Sequence, residues 1–132
     1  MENKAAEEKK KLVLIVEDEV DLALSYKELL EVHGYAVNTA PNGVIALKQI
    51  LNRDVDAVIC DLKLPQLEGD MFYITVERTK PHLCDRFIFI TGMADNPKFQ
   101  PFISRMESRV LFKPVSIEKL LQALQEVINR SS

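Results

Sequence analysis

Five short runs of branched or aromatic apolar residues punctuate this chain, and between them the apolar positions recur every three or four residues. Runs of three to five residues are strand-sized, whereas the longer periodic segments suit helices with one buried face. Strand and helix in regular alternation build βαβ units, in which parallel strands form one sheet with helices packed on its faces. That pattern predicts an α/β protein.

Leu12 to Val16 has no polar interruption, as a central strand covered on both faces requires. A helix from about Asp21 follows, turning Leu22, Tyr26, Leu29 and Leu30 to one side, with Gly34 placed to end it in a left-handed conformation. Tyr35 to Ala40 alternates as an edge strand would. The second helix, from about Gly43 to Leu51, buries Ala46, Leu47, Ile50 and Leu51. Ala57 to Cys60 is the third strand, and Pro65 and Gly69 precede a helix reaching about Thr79. Phe87 to Ile90 is the fourth strand. Pro97 and Pro101 then allow only a short or irregular fourth helix. Val110 to Phe112 forms the fifth strand, and Ser116 caps a last helix facing Ile117, Leu120, Leu121, Leu124 and Ile128 inward.

With 132 residues and 47% apolar content, the chain has material for one core, not two. Residues 1–11 read as a charged lead-in and 12–130 as one globular unit. The run Glu7-Glu8-Lys9-Lys10-Lys11 is a solvated lead-in that shields the first strand. A formal net charge of -3 argues against direct nucleic-acid binding, which needs clustered Lys and Arg. No apolar run is long enough to cross a bilayer or to serve as a signal sequence, so a cytoplasmic location without membrane contact is expected. Cys60 and Cys84 are too few for a disulfide scaffold and lack the partners of a zinc site.

In an open parallel sheet, residues just past the strand ends gather on one rim, where such folds bind ligands. Glu17 and Asp18 follow the first strand, Asp61 the third, Thr91 the fourth and Lys113 the fifth. The flavodoxin-like strand order 2-1-3-4-5, a doubly wound five-stranded sheet with five helices, brings the three carboxylates together. Carboxylates so close repel one another unless a cation joins them, and oxygen-only ligands select a hard ion such as Mg²⁺. With the Lys113 ammonium and the Thr91 hydroxyl, the set suits an in-line phosphoryl transfer to a carboxylate.

These residues carry a resemblance. The acidic pair Glu17-Asp18, Asp61 in CDLKLPQLEG, Thr91 in FITG and Lys113-Pro114 in LFKPVS make the chain similar to the receiver domain of response regulators and hybrid histidine kinases, over roughly Leu12 to Asn129. The resemblance implies that Asp61 accepts the phosphoryl group and that Asp18, Glu17 and the Lys63 backbone carbonyl join Asp61 in holding Mg²⁺. It also implies that Thr91 is the switch hydroxyl, that Lys113 pairs with phosphoryl oxygens, and that the Lys113–Pro114 bond is cis. Glu17 stands where aspartate is commoner, and Val110 where many members carry a rotating Tyr or Phe.

Against this stand plainer readings. Each residue alone would pass for a helix cap or a solvated charge, but five on one rim reverse those odds. His33 suits the end of the first helix, His82 has no visible partner, and Phe87, Phe89, Phe99, Phe102 and Phe112 read as core. The expected function is a two-component phosphorelay module, not an enzyme in the ordinary sense, with self-phosphorylation and autodephosphorylation chemistry. Its donor would be a sensor histidine kinase or a histidine phosphotransfer protein, and its output partner is unassigned. The alternatives are an unphosphorylated interaction scaffold and a phosphate-ester hydrolase; the latter needs a general acid that the sequence does not identify. No DNA-binding segment follows Arg130, so the expectation is a stand-alone relay protein or a piece of a longer kinase or regulator.

Overall fold

The computed structural model of the protein describes residues 10–130, so the charged lead-in up to residue 9 lies outside the described residues. The chain runs β1 (Leu12–Val16), α1 (Val20–Val32), β2 (Ala36–Ala40), α2 (Gly43–Asn52), β3 (Ala57–Asp61), α3 (Gly69–Thr79), β4 (Phe87–Thr91), α4 (Gln100–Arg105), β5 (Val110–Phe112) and α5 (Ile117–Arg130). Tight 3-10 turns over Pro81–Arg86 and Glu107–Arg109 lead into β4 and β5. All strands are parallel in the expected order β2-β1-β3-β4-β5.

Because side chains alternate along a strand, each central strand feeds two cores. Leu14, Val16, Val58, Cys60, Phe87 and Phe89 pack toward residues of α2, α3 and α4, among them Ile50, Phe72 and Phe102. Val13, Ile15, Ala57, Ile59, Ile88 and Ile90 pack toward α1 and α5, meeting Tyr26, Leu30, Leu120 and Leu124. This double coverage is why the strands read as unbroken apolar runs.

The helix ends follow local chemistry. Gly34 has φ +97° with open space around it, and the Tyr35 N–H donates back to the Leu30 carbonyl at 3.1 Å, closing α1. Asn42 caps α2 by accepting from the Ile45 N–H at 2.9 Å, and the Ser116 hydroxyl accepts from the Lys119 N–H at 3.2 Å. Helix α4 is only six residues long, with Pro101 in its first turn, where no amide is needed.

Three apolar side chains do not go where expected. Leu29 and Leu51 are exposed, each lying roughly 100° around its helix from the buried stripe, beyond reach of the sheet. Phe112 is half exposed because β5 is an edge strand and its last residue runs past the helices that cover Val110. His33 sits exposed at the end of α1, with Nδ1 2.8 Å from the Leu29 carbonyl, and His82 is exposed in the first 3-10 turn. Both cysteines are buried free thiols.

Candidate active site

Strand register sets the layout of the rim. Val16 is level with Cys60, so Glu17 and Asp61 take the next rung on neighbouring strands. Asp61 is level with Ile90, which puts Thr91 one step beyond, and Thr91 is level with Phe112, which puts Lys113 one step beyond that.

The side chains converge accordingly. Glu17, Asp18 and Asp61 each present a carboxylate oxygen within 4.8 Å of the others, Glu17 and Asp61 buried and Asp18 exposed. Lys113 Nζ donates to Asp61 Oδ2 at 2.7 Å and to Glu17 Oε1 at 3.3 Å. Two backbone amides complete the carboxylates: Lys63 N–H donates to Asp61 Oδ1 at 3.2 Å and Glu19 N–H to Glu17 Oε2 at 3.1 Å. Thr91 is fully buried; its Oγ1 accepts from the Met93 N–H at 2.9 Å and still has its own proton to donate. A cavity of about 430 Å³ opens over these groups, lined by Asp18, Asp61, Lys63, Gly92, Met93 and Lys113. The Lys113–Pro114 bond is cis, as the resemblance implies.

Electrostatics shows a shortage of positive charge. Burial raises the Glu17 pKa to about 7; the Glu19 amide opposes this, the Asp61 charge adds to it, and Lys113 draws it back. Burial disfavours the Lys113 ammonium, but the hydrogen bond and charge of Asp61, with Glu17 behind them, outweigh it and push the pKa up to about 12. One ammonium is therefore shared between two carboxylates, with a third, that of Asp18, within 4.8 Å of both. An all-oxygen donor set with an excess of negative charge and an open side fits a hard divalent ion such as Mg²⁺, which keeps some of its waters.

The family model described as the response regulator receiver domain matches residues 13–125. The chain belongs to this family. Among its relatives, the sensor kinase CckA of Brucella abortus (strain 2308) is 29% identical over 89% of this chain and 12% of that protein. Response regulator MprA of Mycobacterium sp. (strain KMS) is 28% identical over 91% of this chain and 51% of that protein. This receiver domain thus spans about half or less of the curated relatives it matches. Among solved structures, a CheY-like receiver domain protein from Methanospirillum hungatei JF-1 superposes with a TM-score of 0.82, at 27% identity over 93% of this chain and 97% of the other. A receiver domain protein from Clostridium thermocellum gives 0.79, at 29% identity over 91% and 95%.

Glu17, Asp18, Asp61, Lys63, Thr91 and Lys113, the site residues singled out from sequence, all lie on this one rim. Sequence reasoning missed the pair between Lys98 and Glu68, a residue of the cavity wall, which joins the loop after β3 to the loop after β4. Separated by a strand and a helix, these two residues share no local signal. Among the described residues, no helix is long and apolar enough to cross a membrane.

Proposed function

We propose that this receiver domain accepts a phosphoryl group on Asp61 from a phosphohistidine of a sensor kinase or phosphotransfer protein, and that phosphorylation of Asp61 alters its affinity for an output partner. The observation that carries the reading is the placement of Asp61 under an open cavity, with Lys113 Nζ at 2.7 Å and the oxygens of Glu17 and Asp18 within 4.8 Å. An Asp61 oxygen forms the new P–O bond while the P–N bond of the donor breaks. The electron pair of that bond stays with the imidazole, whose ring proton balances the charge.

Asp18, Asp61 and the Lys63 carbonyl, with Glu17 beside them, would hold Mg²⁺. When bound, the ion supplies charge neutralisation for the phosphoryl oxygens and overcomes repulsion between the incoming group and the acidic rim. Lys113 contributes a fixed positive charge on the other side, and its raised pKa keeps it protonated through neutral pH. The Thr91 hydroxyl donates its free proton to a phosphoryl oxygen once one is present, while its oxygen goes on accepting from the Met93 N–H. Receiver domains are signalling modules, and this reading makes turnover incidental to the switch.

Incubation with acetyl phosphate or phosphoramidate and Mg²⁺, followed by intact-mass measurement, should show one added phosphoryl group. Asp61→Asn should abolish it. Equal labelling of the variant would overturn the assignment.

A further inference from the structure

Between Asp61 and α3 the chain reverses through an unusual turn. The Leu67 N–H donates to the Pro65 carbonyl at 2.8 Å, and the residue between them, Gln66, has φ 69°. A γ-turn of that sign is rare and strained, and glutamine has none of glycine's freedom at positive φ. Such a conformation persists only where its surroundings over-determine it.

Two glycines supply those surroundings. A Cβ at Gly69 would lie 2.4 Å from the Asp61 carbonyl oxygen and 2.9 Å from Leu62 Cα; one at Gly43 would lie 2.5 Å from the Leu67 carbonyl oxygen and 2.8 Å from Leu67 Cβ. Neither glycine has a positive φ, so the requirement is for space alone. Most of the obstructing atoms are backbone or Cβ, which cannot swing aside as the end of a long side chain can. Gly43 opens α2, an element that carries none of the site residues, and the buried Asn42 cap fixes that helix end. The turn is thus seated on α2 at Leu67 and on α3 at Asp61, and Lys63 lies between those two seats.

We propose that Gly43 is a positioning residue for the phosphoryl site: by admitting Leu67 against the start of α2, it holds the strained Gln66 turn and, through it, the Asp61 carboxylate and the Lys63 carbonyl. The proposal rests on the phosphoacceptor reading above.

Gly43→Ala separates this from a local role. Helix propensity favours alanine over glycine, so on local grounds alone α2 should be at least as stable. The seat, in contrast, should be displaced, and misplacement of a reacting group by an ångström can slow a reaction on the order of a hundred-fold. The expected result is labelling by acetyl phosphate at saturating Mg²⁺ slowed by roughly ten-fold or more, weaker Mg²⁺ binding by calorimetry, and amide NMR shifts from Leu62 to Leu67. Leu67→Ala, which empties the seat without crowding it, should also slow labelling while the circular dichroism stays native, and it decides the matter if Gly43→Ala does not fold. Val44→Ala, at a neighbouring exposed position, should change neither quantity. Failure of the wild-type protein to label would overturn the phosphoacceptor reading itself. A wild type that labels beside folded variants with unchanged rate and Mg²⁺ affinity would leave that reading standing and overturn the role given to Gly43.

Discussion

Asp18 and Glu17 are adjacent yet face different physical problems. Asp18 is exposed and free to meet a hydrated ion, whereas Glu17 is 4% exposed and already bonded to Lys113 and the Glu19 amide. Removing Asp18 should therefore affect the metal more than the fold. Asp18→Ala is expected to weaken Mg²⁺ binding on the order of ten-fold or more, with little change in melting temperature. Calorimetry or NMR titration is the measurement, since the chain has no tryptophan to report binding by fluorescence. The thiols give a second residue-scale expectation. Burial pushes the Cys60 pKa well up, and burial also raises that of Cys84. Both should stay protonated and unreactive toward a disulfide reagent at pH 8 in the native protein, and both should react in urea. The sign for stability follows: unfolded thiols ionise first, so the contribution of the pair is intact below about pH 8.5 and declines as pH rises above it.

At the scale of elements, the loop from β4 to α4 is a relay of hydrogen bonds that starts at Thr91. Thr91 Oγ1 holds the Met93 amide, the Met93 carbonyl accepts from the Asn96 N–H, and the Asn96 carbonyl accepts from the Phe99 N–H, so a pull on Thr91 passes along the segment. Val110, at the position where family members often carry an aromatic, is buried in the core with Phe102 and Met106 and has no long side chain to swing. NMR shifts on adding a phosphoryl mimic should concentrate between Thr91 and Phe102, and Thr91→Ala should remove them. A response that survives Thr91→Ala but vanishes in Val110→Ala would refute this account. The end of α1 offers a separate check. Gly34→Ala meets no steric neighbour, so its cost is purely that of a left-handed conformation, and urea unfolding should register a loss of about 1–2 kcal/mol.

For the whole molecule, the two faces of the sheet are unequal. One face carries an aromatic cluster in which Phe89 meets Tyr73 and Phe102 edge-on, with ring centroids 5.5 and 5.0 Å apart, and Phe87 beside it at 5.5 Å. The other is filled mainly by aliphatic residues of β1, β2, β3, β4, α1 and α5, with Tyr26 as its one buried aromatic ring among the described residues. Phe89 is fully buried at the centre of the aromatic face and one residue from the strand pairing that places Thr91. Phe89→Ala should destabilise the domain by about 3–5 kcal/mol in urea unfolding, with an unchanged denaturant slope if unfolding stays two-state.

Several expectations from the residues alone match the molecule because they depend on short-range rules. The strand runs, the Gly34 stop, the start of α2 at about Gly43 and the short helix imposed by Pro101 are consequences of backbone preference and periodicity. The rim of Glu17, Asp18, Asp61, Thr91 and Lys113 was legible for a related reason: parallel strands end together, so residues that follow apolar runs must meet. Other features depend on which surfaces touch. Leu29 and Leu51 sit beside inward-facing leucine and isoleucine positions in the chain, yet each lies too far around its helix from the buried stripe to reach the sheet. Nothing near Gly43 in the chain announces that Leu67 will press against it, and nothing near Glu68 announces Lys98. Sequence by itself determined the elements, their order and the chemistry of the rim, because those follow from local stereochemistry and the single direction of the strands. Tertiary structure alone decided the seat of the Gln66 turn and the Glu68–Lys98 pair, because contact between distant segments has no local code.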